Sequence, residues 1–199
     1  MRSDEFVSTD AAPRRDDGFT IIEVLIAMML IATMALGVAT LFALSIKATH
    51  AARNQTSTAT MAAQKMEQIR SLTWGFDDSG QNLPVSDTTT NLAKYPHDTS
   101  GGGLNPSPTA ALEANTPGYV DYLDSRGQWV GTGTTPPAAA VYIRRWKIEP
   151  LPTNPNNTIV IQVLVTTVRR EQSLNSPPTP RRRYADDALI ASVRTRKSN

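Results

Sequence analysis

Glu23 is the only ionisable side chain between Phe19 and Ile46, a stretch that reads FTIIEVLIAMMLIATMALGVATLFALSI. A carboxylate at membrane depth costs a few kcal/mol, so it marks a function or a partner that meets it. One reading lets the glutamate snorkel to the headgroups near the end of a span. Another gives it a cation. If the chain begins at Phe19, Glu23 becomes the fifth residue, one helical turn from a free α-amino group. In a staggered stack of parallel helices it meets the amine of a neighbour instead, and then it sets register.

Other residues offer less chemistry. The acidic pairs Asp77-Asp78, Asp121/Asp124 and Asp186-Asp187 read as solvated turns, with calcium a minor alternative at the first two, since hard oxygen ligands suit it. The chain has no cysteine and only two histidines, His50 and His97, so thiolate, disulfide and histidine-based metal sites are absent or thinly supplied. No glycine-rich phosphate loop follows a strand and no nucleophile motif occurs. These absences point to a non-enzymatic protein without a cofactor. Arg169-Arg170, Arg181-Arg182-Arg183 and Arg194/Arg196/Lys197 make the final 31 residues basic, and clustered cations attract phosphate. Pro177, Pro178 and Pro180 place the arginine triplet in a loop. A solvated loop or subunit contact is the stronger reading there, and DNA the weaker one.

The element that positions Glu23 is a long apolar helix. Its 28 residues would extend roughly 42 Å, more than the ~30 Å hydrocarbon core of a bilayer. A soluble core helix is rarely apolar all round for so long. A cleaved secretory signal has a shorter apolar centre, and a simple signal anchor gives no reason for the position of Glu23. From Lys47 to Leu72 the pattern turns amphipathic without Pro or Gly. Ala52, Ala59, Ala62, Met66 and Ile69 form the expected apolar face, with Lys47, Arg53, Lys65 and Arg70 off it. One continuous helix from Phe19 to about Thr73 is predicted.

Ahead of the helix lie 18 residues holding three of the chain's 20 basic and five of its 18 acidic side chains. The junction is Gly18-Phe19-Thr20-Ile21-Ile22-Glu23. It resembles the class III signal of type IV prepilins and type II secretion pseudopilins, joined as it is to a short charged leader and a continuing apolar helix. Asp16-Asp17 depart from the family pattern, which carries a basic or neutral residue there; Arg14-Arg15 supply positive charge just upstream, as suits a cytoplasmic leader. The resemblance implies cutting after Gly18 and N-methylation of Phe19 by a prepilin peptidase. It makes Glu23 the residue that sets filament register. It also offers Gly37, which lowers helix propensity by ~1 kcal/mol relative to alanine, as a point where the helix loosens; close helix packing at a small residue is the other reading.

The resemblance further implies an α+β, lollipop-like fold, with a long N-terminal helix, transmembrane in its first half, packed on a small antiparallel β-sheet. Partners would be the prepilin peptidase, other pilin or pseudopilin subunits, an inner-membrane assembly platform and, before assembly, membrane lipid. The precursor would sit once across a bacterial inner membrane, leader in the cytoplasm and C-terminal domain outside, and then enter a pilus or periplasmic pseudopilus. The expected divisions are a leader over 1–18, a membrane and filament-core helix over 19–46, its amphipathic continuation over 47–73, a variable loop region over 74–118 and a sheet domain over 119–199. Competing descriptions are a DNA-uptake pseudopilin and an uncleaved single-pass anchored protein.

Strand signals fill the last division. Tyr119–Leu123, a turn at Asp124–Gly127 and Gln128–Val130 read as a hairpin. In Val141–Ile148, alternation puts Tyr142, Arg144, Trp146 and Ile148 on one face and Val141, Ile143, Arg145 and Lys147 on the other. Thr158–Val165 is the strongest strand and Ala188–Thr195 the last. Short turns between them predict an antiparallel meander whose apolar face the helix covers, of the kind seen in minor pilins. The segment 74–116, rich in Gly, Pro, Thr and Asn, reads as loop without a regular core.

Overall fold

A computed structural model describes residues 18–88, 101–173 and 184–196, and the chain divides into two units, residues 1–47 and 48–199. Asp16-Asp17 and the rest of the leader, His97, the prolines and arginines of 177–183, and Lys197 lie outside the described residues.

In the first unit a helix, α1 (Ile21–Ser71), begins directly after Thr20. The side chains from Gly18 to Lys47 are all exposed, so this is an apolar surface with no protein covering it. It belongs to a helix long and apolar enough to cross a membrane. Its few hydroxyls are satisfied internally: Thr33 donates to the Leu30 carbonyl at 2.8 Å and Thr40 to that of Gly37 at 2.7 Å. Local bonding of this kind suits a helix with no water beside it. The helix runs through Gly37 without interruption.

In the second unit the sheet comprises β3 (Val120–Leu123), β4 (Trp129–Thr132), β5 (Tyr142–Pro150), β6 (Thr158–Thr167) and β7 (Ala188–Thr195). All pairings are antiparallel, in the order β4-β3-β5-β6-β7. The order departs from a meander. The β3–β4 hairpin puts β4 at the sheet edge, so the chain must pass β3 again before β5 can pair with it. The long β5–β6 register, Tyr142 with Thr167 through Pro150 with Ile159, forms the backbone of the domain. The β-branched run of β6 and the aromatics of β5 fit a pleated surface buried on both sides.

One face of the sheet, through Leu123, Tyr142, Trp146, Ile148, Ile161, Val163 and Val165, packs with Met61, Ala62, Met66 and Ile69 of α1. The buried stripe of the helix is Thr58, Met61-Ala62, Lys65-Met66 and Ile69. The expected face holds at Ala62, Met66 and Ile69, but Ala52 and Ala59 are exposed and Lys65 points inward. Alanine is too weakly hydrophobic to fix the orientation, whereas the two methionines and Ile69 bring more buried area. On the other face Val120, Tyr122, Ile143 and Val168 form a smaller cluster, the last from a short helix, α2 (Val168–Ser173), that the sequence patterns did not reveal.

The segment after α1 is more ordered than its composition implied. Trp74–Phe76 (β1) and Pro84–Ser86 (β2) make a two-stranded antiparallel sheet. Leu104 and Ala111 join the main core, and Tyr119 donates from its hydroxyl to the Asn105 carbonyl at 3.0 Å. Gly118 has φ +85°, and a Cβ there would stand 2.8 Å from the Gly102 nitrogen. This crossing of two backbones explains a glycine that the sequence offered only as a loop former.

Candidate functional site

Thr20 and Glu23 organise the start of α1. The Glu23 N–H donates to the Thr20 carbonyl at 3.1 Å and approaches the Thr20 hydroxyl at 3.3 Å. Thr20 is thus the N-cap and Glu23 the third helical residue, the spacing of a capping box. Glu23 also lies in the first turn, where the helix dipole favours negative charge. The Thr-x-x-Glu spacing in the sequence is the signal of such a cap. Phe19 is 82% exposed, and nothing lies within 4 Å of a Cβ built on Gly18. The three residues of the junction therefore stand in the open, available to an enzyme and to neighbouring helices.

A second cluster lies deep in the domain. Asp121 of β3 is fully buried; its Oδ1 and Oδ2 accept from Arg144 Nε and Nη2 at 2.7 and 2.8 Å. Lys65 Nζ donates to Oδ2 at 3.0 Å and sits 3.8 Å from the centroid of the Trp146 ring. Burial lowers the Lys65 pKa to about 8, with Asp121 opposing and Arg144 adding to that shift. Burial acts to raise the Asp121 pKa, but Lys65 and Arg144 outweigh it and hold the carboxyl below its usual range. Two cations thus share one anion, and the Trp146 face takes up part of the excess charge. This occupancy corrects the calcium alternative at Asp121/Asp124: Asp121 has no free oxygen, and Asp124 accepts the backbone N–H groups of Arg126 and Gln128, both at 2.8 Å, in the hairpin turn. At Asp77 the carboxylate likewise accepts from Ser79 and from the Leu83 backbone. Among the described residues no group of three or more His, Cys, Asp or Glu could hold a metal ion.

Lys65 carries a testable pH signature. Its folded pKa of about 8 lies below the ordinary 10.5, so above pH 8 the unfolded chain holds a proton that the folded chain has released. Its contribution to stability therefore rises with pH between those values, by about 1.4 kcal/mol per unit at the steepest. Lys65→Met leaves the neutral Asp121–Arg144 pair in place and is expected to be at least as stable as the parent at pH 7. Urea midpoints, followed by tryptophan fluorescence, should show the parent gaining on Lys65→Met between pH 7.5 and about 9.5.

Arg145 of β5 and two of the C-terminal arginines are engaged within the fold. Arg145 is bound by Asn115 and by Glu171 of α2, the latter at 3.0 Å. Arg170 pairs with Asp186 and stacks on Tyr184, 4.2 Å from the ring centroid. Arg196 covers the Trp74 ring at 3.5 Å and donates to the Gly75 and Val85 carbonyls at 2.8 and 2.6 Å.

An exposed apolar helix, capped by Thr20 with Gly18 two residues before the cap, and an α+β sheet domain in the same chain are consistent with a membrane-anchored precursor. Residues 13–39 match the family model described as the prokaryotic N-terminal methylation motif, the class III signal typical of type IV pilins and pseudopilins. The chain thus carries the signal of a type IV pilin-like precursor, which implies processing by prepilin peptidase and assembly with other pilin subunits. No curated protein and no solved structure matches the chain.

Proposed function

We propose that this chain is a minor pilin or pseudopilin, a structural subunit of a type IV pilus or a type II secretion-like filament. Prepilin peptidase cuts after Gly18 and methylates the amine of Phe19. Residues 19–46 hold the precursor in the inner membrane and then enter the filament core, where Glu23 meets the amine of a neighbouring subunit. Gly37 is the point at which the core helix loosens on assembly. Residues 47–73 anchor the domain, 74–118 form a variable surface and 119–199 the sheet. The assembly platform and lipid act before polymerisation.

The single observation that supports this reading is Glu23, one carboxylate on an otherwise apolar and wholly exposed helical surface. Such a group needs a cation in lipid or in a helix bundle, and cutting at Gly18 creates one close by. Mass analysis of the chain extracted from membranes should find a mature N-terminus at N-methylated Phe19. A working chain that retains Met1 would leave only the uncleaved, anchored alternative.

A further inference from the structure

Two arginines and two aromatic rings share the wall of one pocket near the C-terminal end of α1. It encloses about 410 Å³ and is lined by Arg70, Trp74, Phe76, Val193, Arg194 and Thr195, among others. Arg194 is fixed in place: one of its amino groups donates to the Leu72 carbonyl at 2.7 Å, and no acceptor within the described residues meets its Nε or its other amino group. Arg70 pairs at 3.2 Å with Glu67 on the exposed side of the helix. The Trp74 Nε1 is buried and has no hydrogen-bond partner among the described residues. Apart from the Thr195 hydroxyl, the polar side chains of this wall can donate but cannot accept.

The electrostatics agree with the donor set. Burial lowers the pKa of Arg194, and the Arg70 charge lowers it further, while Asp87 opposes both. Asp87, whose carboxylate accepts the Thr73 N–H at 2.6 Å, is not among the lining groups. The pocket is also much larger than a bare oxyanion, and Trp74, Phe76 and Val193 give it an apolar wall.

We propose that this pocket binds a peptide carboxylate borne next to an apolar side chain, with Arg70 and Arg194 taking the carboxylate and Trp74, Phe76 and Val193 the apolar body. The fixed guanidinium of Arg194 supplies directed donors, and the second cation adds charge without needing a rigid geometry. The inference stands apart from processing at Gly18 and from register at Glu23, so it survives or fails independently of them.

The test uses the full chain in detergent micelles, labelled with nitrogen-15. Its three tryptophans give three indole N–H signals, and Trp74→Phe assigns the one of interest. N-acetyl-phenylalanine, a carboxylate on an aromatic body, should shift that signal saturably. Its neutral amide should bind at least about tenfold more weakly, as expected for loss of a charge-assisted contact. Arg194→Gln should weaken the carboxylate by a similar factor. Because that change also removes the bond to Leu72, Arg70→Gln is the companion: it too should weaken binding while leaving the melting temperature unchanged. No saturable shift with the carboxylate, or equal binding of the amide, overturns the proposal. Inorganic phosphate binding as tightly as the aromatic carboxylate overturns the assignment of the apolar body.

Discussion

Asp121→Asn is expected to destabilise the sheet domain by ~3–5 kcal/mol, the range for removing one partner of a buried ionic group. The parent balances Lys65 and Arg144 against one carboxylate with two oxygens, all at 2.7 to 3.0 Å. Asparagine fills the same volume but turns one acceptor into a donor, and the two cations then face each other in a dry site. Lys65 can relieve the repulsion by losing its proton. Since its unfolded pKa is near 10.5, forcing it neutral at pH 7 costs on the order of 5 kcal/mol, which bounds the Lys65 share of the effect. The double variant Asp121→Asn/Lys65→Met removes one of the two opposed cations and should recover a substantial part of the loss. Urea unfolding of the parent, both single variants and the double variant completes the cycle. A loss below about 1 kcal/mol for Asp121→Asn would mean that water reaches the cluster and that the ion pair does not hold α1 to the sheet.

This cluster also marks the limit of what the chain disclosed by itself. The α+β class, the single long helix and the strands β5 to β7 were legible because they rest on local periodicity: an unbroken apolar run, then alternating β-branched and aromatic residues. The alternation in β5 even assigned Arg144 and Arg145 to opposite faces. It could not say what each would meet, since Asp121 lies 23 positions away and Glu171 lies 26 in the other direction. A clue was present: Val120-Asp121-Tyr122-Leu123 places an acid in an otherwise apolar strand, and such an acid needs a cation. Helical periodicity alone put Lys65 off the apolar face, because it takes no account of a buried acid on a distant strand. The folded stretch 101–118 was missed for a different reason. Its order comes from close backbone crossings and from Leu104 and Ala111 reaching the core, and neither follows from a composition of glycine, proline and threonine.

Gly18→Ala and Glu23 variants should separate processing from assembly. A Cβ at position 18 meets nothing within 4 Å, so alanine there costs the fold nothing and its effect reports recognition by the peptidase alone. The expected result is uncut precursor held in the membrane and none in filaments. Glu23→Ala should be cut and methylated normally but enter filaments poorly. The alanine result is ambiguous on its own, because alanine removes the stem of Glu23 together with its charge, while the bond to the Thr20 hydroxyl comes from the backbone of residue 23 and is kept. Glu23→Gln resolves the ambiguity. Glutamine keeps the length and the apolar stem, while it gives up the charge that an amine from a neighbouring subunit would seek. If intersubunit charge sets register, glutamine should fail in filaments nearly as badly as alanine, and a carboxylate left unpaired by N-terminal acetylation should fail in the same way, at a cost of a few kcal/mol per subunit. Filaments that accept glutamine as readily as glutamate would show that the charge of residue 23 does not set register, which would then have to come from the shape of the apolar surface around it.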